Sequence, residues 1–265
     1  MKFVCFCALL LIFSNLCEAA VKGSAAQRGK RVEEGDCKCP RKHKKPIDCA
    51  EVLENGNTRS GMYTIWPRSR LSDGSWIAVY LVTDGGGWTV IQRRCQYGNG
   101  EDYFVKNWNE YKNGFVKIKK EFWLGNDNIH SLTNQGHYSA RFDMRNESQT
   151  SVFAVYENFW IGNEESKYRI HLSEYSGTAG DSLSTHSGGL FYTPDQPNLP
   201  SGKDGETKRS GGWWLNTMPS SSFNGLNLLR TDRVGSRDGI LWKSFGGYED
   251  SLAGTEIKIR PKKFY

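Results

Sequence analysis

Residues 84–94 read DGGGWTVIQRR, three glycines followed by a run rich in β-branched and aromatic side chains. Glycine lacks a Cβ, so Gly85–Gly87 can adopt the positive φ angles that a tight chain reversal needs. The flanking segments, Trp76–Val82 and Trp88–Arg93, have the composition of strands. This stretch therefore predicts two strands joined by a tight glycine turn.

Upstream of this turn the sequence predicts a helix and a further strand. Asp48 precedes the run Cys49–Leu53 and is a suitable N-cap, because its carboxylate can accept the first free N–H groups of a helix. Asn55 and Gly56 end that helix. Gly61–Trp66 is β-branched and aromatic and is closed by Pro67, which is typical of a strand.

Downstream, short elements alternate with a long irregular region. Trp108–Gly114 and Phe122–Asn126 look like short helices or turns, and His137–Met144, Val152–Tyr156 and Tyr168–Leu172 alternate like antiparallel strands. From Ser173 to about Asn227 the chain is mostly Gly, Ser, Asn and Pro, and long loops of this kind tend to be functional. Thr255–Pro261 alternates as a final strand. We predict a single α+β domain over residues 47–265.

The N-terminus has the layout of a secretory signal peptide. Lys2 precedes a nearly continuous apolar run from Phe3 to Phe13, and small residues at Ala19 and Ala20 follow. The apolar run is too short for a membrane span, and no later stretch is long enough. We therefore predict a signal peptide over residues 1–20, secretion, and no transmembrane segment.

The net positive charge of the chain comes from the leader, residues 21–46. The whole chain carries +6, and nine basic against three acidic side chains in the leader account for all of it. The remainder is neutral, so non-selective binding to nucleic acid is not expected. The leader is predicted to be flexible. Its Arg28–Arg31 cluster is either a protease site or a solvated charge run.

After removal of the signal peptide, four cysteines remain: Cys37, Cys39, Cys49 and Cys95. An oxidising compartment should pair them, and three connectivities are open. Cys37 and Cys39 are too close in sequence to bond to each other without strain and are candidates for interchain bridges. Zinc is disfavoured because its usual C-x₂₋₄-C spacing is missing.

Catalytic motifs are missing from the sequence. It contains no H-E-x-x-H, no G-x-S-x-G and no P-loop, and its five histidines are scattered. We therefore predict that the protein is not an enzyme. Asn146-Glu147-Ser148 is its one N-glycosylation sequon.

An ordered series of motifs resembles the fibrinogen C-terminal domain. These motifs are DCAEVL (48–53), SGMYTIWP (60–67), DGGGWTVIQRR (84–94), EFWLGND (121–127), AGDSL (179–183), GGWW (211–214), NG (224–225), GILW (239–242) and IRP (259–261). The resemblance covers some 215 residues of the chain. It is nearest to the tachylectin- and ficolin-like lectins of arthropods.

This resemblance implies a twisted antiparallel sheet with short helices and a loop-rich C-terminal subdomain. It also implies a secreted lectin of innate immunity that binds acetylated glycans on microbes, often with calcium, as a multivalent homo-oligomer. Here the N-terminal leader would hold the oligomer together. An alternative is a scaffold or protein-binding component of venom or haemolymph that has lost calcium and sugar binding.

Two parts of the expected ligand site depart from the family pattern. Pro197 and Leu199 replace the carboxylates of the calcium loop, which leaves Asp195 and Asp204 as the nearby acidic residues, so the family's calcium site is expected to be lost or weak. In the sugar pocket, the family's disulfide positions hold Gly205 and Met218, and its histidine position holds Pro219. The carbohydrate candidates are Tyr248, Trp214, Asn216, Arg209 and Ser236.

A third departure concerns Cys49. Its partner in the family lies in the strand that here reads Val79-Tyr80-Leu81-Val82 and holds no cysteine. Cys95, at the far end of the next strand, is an additional cysteine. We hypothesise a relocated Cys49–Cys95 bridge.

Overall fold

A computed structural model describes residues 43–68, 76–82, 85–95, 103–116, 121–198, 210–215, 220–228, 238–248 and 250–262. The predicted signal peptide and nearly all of the leader, including Arg28–Arg31, Cys37 and Cys39, lie outside this part. No helix in the described ranges combines the length and apolar character needed to cross a membrane.

The described elements are short helices and thirteen strands. The helices are α1 (Cys49–Glu54), α2 (Trp108–Asn113), α3 (Asn126–Thr133) and α4 (Lys243–Gly246). The strands are β1 (Gly61–Ile65), β2 (Ile77–Val82), β3 (Trp88–Cys95), β4 (Phe115–Val116), β5 (Phe122–Trp123), β6 (Tyr138–Arg145), β7 (Ser151–Ile161), β8 (Ile170–Gly177), β9 (Leu190–Tyr192), β10 (Trp213–Leu215), β11 (Ser221–Ser222), β12 (Leu241–Trp242) and β13 (Gly254–Pro261).

One antiparallel sheet dominates the fold, in the order β1-β2-β3-β13-β6-β7-β8. The last strand, β13, lies in its centre and pairs with β3 on one side and β6 on the other. Short β4 and β5 join at β3. Buried and exposed side chains alternate along the strands, as expected for extended chain. In β13, Ile257 and Ile259 are buried in the core while their neighbours are partly exposed. The predicted α+β class with an antiparallel sheet is confirmed.

The glycine turn lies between β2 and β3, as predicted. Gly85, Gly86 and Gly87 have φ angles of 71°, 105° and 62°. At Gly87, an added Cβ would lie 2.9 Å from the Ala50 Cα. Glycine is therefore required at this position both for the backbone angle and for the close approach of α1.

Helix α1 begins where the sequence predicted. Asp48 Oδ1 accepts hydrogen bonds from the N–H groups of Ala50 and Glu51, at 2.9 and 3.0 Å. Its other oxygen accepts from the Tyr138 hydroxyl at 2.6 Å. The N-cap therefore also ties α1 to the start of β6 on the central sheet.

One local prediction in the middle of the chain was wrong, and one helix was missed. Phe122–Asn126 was expected to be a short helix or turn, but β5 occupies its start and pairs with β3. Helix α3, which follows, was not predicted. The usual sequence cue, a capping side chain, is missing there, because Gly125 occupies the N-cap position.

The predicted irregular region begins after β8, which extends to Gly177. We call the described residues between Thr178 and Ala253 the C-terminal subdomain. Its strands are two or three residues long and lie in two small sheets, β10-β9 and β11-β12. The subdomain is therefore loop-rich, as expected.

The predicted Cys49–Cys95 bridge does not form in this structure. The Cys49 N–H donates to Thr89 Oγ1 at 3.2 Å, near the start of β3, whereas Cys95 ends the same strand. Six residues of extended chain separate those two points by roughly 20 Å, while a disulfide needs Cα atoms within about 7 Å. Cys49 is a buried free thiol, and burial raises its pKa to about 12.

Candidate ligand site in the C-terminal subdomain

Trp214 lies in the core and not on a ligand surface. Its side chain is fully buried, and the indole Nε1 donates to the Tyr168 carbonyl oxygen at 2.7 Å. The rings of Trp123 and Phe191 lie 5.9 and 5.3 Å away, centroid to centroid. The prediction that Trp214 contacts carbohydrate is therefore corrected: it supports the subdomain from behind.

Tyr248 is the predicted sugar contact that lies at the surface. It is half-buried just beyond α4, with the Lys243 ammonium 5.0 Å from the centre of its ring. The start of α4 is fixed by Ser182, whose Oγ accepts from the Ser244 N–H at 2.9 Å. The Trp242 indole also donates to the Gly180 carbonyl at 2.9 Å. Tyr248 therefore projects from a well-anchored segment.

The other carbohydrate candidates, Arg209, Asn216 and Ser236, fall outside the described residues, as do Pro219 and Asp204. The chain segments that flank them are described and converge. Asp238 Oδ1 accepts from the Ser210 N–H at 3.0 Å, and its carbonyl accepts from the Leu226 N–H at 2.7 Å. Asp238 therefore holds together Ser210, which follows segment 199–209, and Leu226, which lies just before segment 229–237.

His186 is a polar residue of this region that sequence reasoning did not single out. It is fully buried, and its Nε2 accepts from the Ser220 N–H at 3.0 Å. Because Nε2 accepts, Nδ1 is the protonated nitrogen and donates to the Trp214 carbonyl at 2.7 Å. His186 thereby ties the residue that follows segment 216–219 to the core. No sequence pattern distinguishes it from the other four histidines.

The His186–Ser220 contact has no catalytic geometry. Nε2 accepts from the Ser220 backbone N–H at 3.0 Å, and the Ser220 Oγ, 3.4 Å from the same nitrogen, donates to the Ser182 carbonyl at 3.0 Å. A nucleophilic serine needs a histidine nitrogen free to take its proton and a third group to orient the ring. Here a backbone carbonyl is the partner of Nδ1.

Asp195, the first acidic residue of the expected calcium loop, is held by the protein itself. Both its oxygens accept from the Trp108 N–H, at 3.0 and 3.2 Å, at the first turn of α2. Asn198, three residues on, donates its amide to the Phe191 carbonyl at 3.0 Å. Calcium requires six to eight oxygen ligands, and the described residues of this loop do not fit that requirement.

A cluster of charged side chains lies next to the start of α2, which Asp195 contacts. Lys112 of α2 contacts the Glu164 carboxylate and lies 3.6 Å from Asp127 Oδ2. The Trp108 indole donates to Glu164 at 2.9 Å. The hydrogen bond from Lys112, reinforced by that from Trp108, holds the pKa of Glu164 below its usual value. The cluster therefore joins α2, α3 and the turn before β8.

Comparison with known proteins agrees with this architecture. Residues 45–262 match the family described as fibrinogen beta and gamma chains, C-terminal globular domain. Over 221 residues, the chain is 46% identical to Techylectin-5A of Tachypleus tridentatus, covering 83% of this chain and 75% of that protein.

Solved structures show the same fold. The fibrinogen-like globe domain of human ANGPTL2 superposes with a TM-score of 0.75 at 36% identity, covering 82% of this chain and all of that one. The lamprey fibrin D-dimer complexed with the peptide ligand Gly-His-Arg-Pro-amide gives a TM-score of 0.70 at 30% identity, covering 83% and 76%. This chain therefore belongs to the family of fibrinogen C-terminal globular domains.

Proposed function

We propose that this protein is a secreted, lectin-like recognition protein of innate immunity that binds acetylated glycans on microbial surfaces. The observation that carries the proposal is the 46% identity to Techylectin-5A, which extends over 83% of the chain. Secretion follows from the signal-like pattern of residues 1–20. No catalytic role is proposed, because both ring nitrogens of His186 are engaged by backbone groups, Nε2 by the Ser220 N–H and Nδ1 by the Trp214 carbonyl.

On this proposal the sugar contacts Tyr248, together with the candidate residues Arg209, Asn216 and Ser236 that the family resemblance suggests. A small-molecule site needs apolar or aromatic walls and a few well-placed polar groups. Tyr248 supplies a ring, while Arg209, Asn216 and Ser236 would supply hydrogen bonds. Trp214 acts only by holding β10 in place. Weak single sites would gain avidity if Cys37 and Cys39 join chains into an oligomer.

A second function, protein recognition without sugar or calcium, is favoured by one observation. The Asp195 carboxylate accepts from the Trp108 N–H, and the described part of its loop is poor in metal ligands. Asp195 therefore serves to attach this loop to α2. The related lamprey fibrin fold, which was solved with a peptide ligand, illustrates this alternative.

Retention on acetylated-sugar resin separates the two functions. The full chain, secreted from insect cells, is passed over N-acetylglucosamine resin in calcium and in chelator. We expect retention in both buffers, with elution by free acetylated sugar, because the loop at Asp195 does not fit calcium. If the protein is retained in calcium but not in chelator, sugar binding depends on calcium. No retention in either buffer would favour protein recognition.

A matched pair of variants tests the assignment to Tyr248. Tyr248→Ala should weaken binding roughly fivefold or more, which corresponds to a contact of about 1 kcal/mol. Tyr248→Phe keeps the ring and should bind nearly as well as the wild type. If Tyr248→Ala binds like the wild type, the sugar lies elsewhere on the protein.

A further inference from the structure

The hairpin turn between β6 and β7 carries the sequon Asn146-Glu147-Ser148. The two strands end at the pair Arg145–Ser151, and residues 146–150 form the turn between them. Asn146 is half-buried, whereas residues 147–150 are exposed. The acceptor is therefore on the surface at the tip of a rigid hairpin, where an enzyme of the secretory route can reach it.

The side-chain amide of Asn146 is held in one orientation. Its Oδ1 accepts from the Ser148 hydroxyl at 2.8 Å and from the Thr150 N–H at 2.9 Å. A backbone N–H can only donate, so the atom facing Thr150 must be the oxygen. Nδ2 consequently points away from the turn, and no acceptor for it lies within hydrogen-bonding distance among the described residues.

A cleft of about 230 Å³ is lined in part by Asn146. Asn146, Glu147 and Ser148 form one wall, and Phe245, Gly246 and residues 250–252 form the other. The walls are joined below, where the Ala253 N–H donates to the Arg145 carbonyl at 2.8 Å. An aromatic side chain together with carboxylate and hydroxyl groups suits the mixed apolar and polar surface of a sugar ring.

We propose that Asn146 carries an N-linked glycan whose first sugar lies in this cleft. In the transfer, Nδ2 forms a bond to the anomeric carbon of an oligosaccharide carried on a lipid diphosphate. The bond from that carbon to the diphosphate oxygen breaks, and the diphosphate leaves with the electron pair. The amide nitrogen gives up one proton to a base of the transferase. The proposal rests on the secretory route of the proposed function, but not on sugar recognition.

The occupant of the cleft is the sugar that is attached to Asn146. A sugar attached to Nδ2 starts at the mouth of the cleft, because Asn146 itself forms part of the wall. Seated there, it would contact both the hairpin and the segment that contains Phe245. The glycan would therefore link the central sheet to the C-terminal subdomain.

The modification itself is tested by mass. The full chain is collected from insect-cell medium and treated with a peptide N-glycosidase. The wild type and Ser148→Thr, which keeps the sequon, should lose the mass of one glycan. Ser148→Ala and Asn146→Gln should not change. Secreted wild-type protein without a mass change would overturn the proposal, whatever its behaviour on sugar resin.

The seating of the first sugar needs a second measurement. An endoglycosidase trims the wild-type glycan to a single N-acetylglucosamine, and the peptide N-glycosidase removes it entirely, so no variant has to fold. Hydrogen exchange of residues 245–252 should be several-fold slower with the single sugar than without it. Equal exchange rates in the two samples would show that the sugar projects into solvent and would overturn the seating.

Discussion

The central sheet and the C-terminal subdomain differ in how their backbones are paired. β6 and β7 pair continuously from Ala140–Tyr156 to Arg145–Ser151, and β13 pairs along both its edges. In the subdomain, β9–β10 pairs over three residues and β11–β12 over two. Hydrogen bonds from individual side chains connect the loops of the subdomain, among them those of His186, Ser182 and Asp238. The sheet is thus held by many ladder hydrogen bonds, whereas the subdomain has few and relies on buried aromatic side chains such as Trp214 together with side-chain hydrogen bonds.

This difference gives single polar side chains a large role at the described borders of the subdomain. Asp238 holds Ser210, and His186 holds Ser220. Loss of one such side chain should therefore loosen the subdomain while the paired strands of the sheet stay intact.

Replacing Trp214 by alanine should remove the packing between the two regions. The side chain is fully buried against Trp123 and Phe191, and large-to-small changes of this kind cost about 3–5 kcal/mol. Urea denaturation measures the loss. Trp160→Ala is the matched control, because Trp160 is 41% exposed and should cost below about 1 kcal/mol. Equal losses would contradict the core role of Trp214.

Replacing His186 by alanine should weaken the subdomain alone. The change leaves the Trp214 carbonyl and the Ser220 N–H without their partner, at a cost of about 1–3 kcal/mol. Hydrogen exchange should accelerate near Ser220 and remain unchanged in β6 and β7. The half-buried His171, stacked on Trp160, provides a control histidine whose replacement should not affect Ser220. Uniform acceleration would mean that the two regions are not separable.

Replacing Asp195 by alanine should loosen the contact between its loop and α2. The carboxylate accepts from the first helical N–H, and such an interaction is worth about 1 kcal/mol. Thermal melting gives the effect. Asp195→Asn retains an oxygen acceptor without the charge and should recover part of the lost stability. A gain in stability on removal of the charge would instead indicate an unfilled cation site.

Glu164 should make the smallest contribution, and one that depends on pH. Its pKa is lowered in the folded protein by Lys112 and Trp108, relative to about 4.3 in an unfolded chain. The stabilisation is therefore present above that value and disappears as the pH falls through the folded pKa. Because the Glu164 side chain is partly exposed to solvent, its contribution to the free energy of unfolding stays below about 1 kcal/mol.

The test compares Glu164→Gln with the wild type by urea denaturation at pH 7, 5 and 3. The wild type should be slightly more stable at pH 7 and 5, and the difference should shrink at pH 3. A difference that grows towards low pH would contradict the direction of the shift.

Much of the sheet was predictable because period-two alternation and turn chemistry agree along the chain. The glycine turn before Trp88 and the N-cap at Asp48 were both confirmed. Helix α3 could not be anticipated, since Asn126–Thr133 is rich in residues of poor helix propensity. The helix forms because Ile129 and Leu132 are buried against the core. Tertiary packing, which a local pattern does not reveal, decides such a segment.

The candidate site was less predictable than the fold. Motif spacing located Trp214 and Tyr248, yet only the three-dimensional packing shows that one is core and the other surface. Asp195 was expected only as an acidic residue left in a weakened calcium loop, and its partner, the distant Trp108 N–H, could not be read from the sequence. The roles of Trp214, Tyr248 and Asp195 thus depend on contacts with residues far away in the sequence. The Cys49–Cys95 hypothesis failed because the two residues lie near opposite ends of β3.

The central position of β13 has a consequence for biosynthesis. The strands on either side of it, β3 and β6, emerge from the ribosome long before residues 254–261 are translated. Until then both expose unpaired edges, and the two halves of the sheet cannot join. The sheet can therefore close only once residues 254–261 have been made, and strand edges exposed before that point are prone to aggregation. A premature stop codon that removes only this last strand would leave a chain that cannot close its sheet.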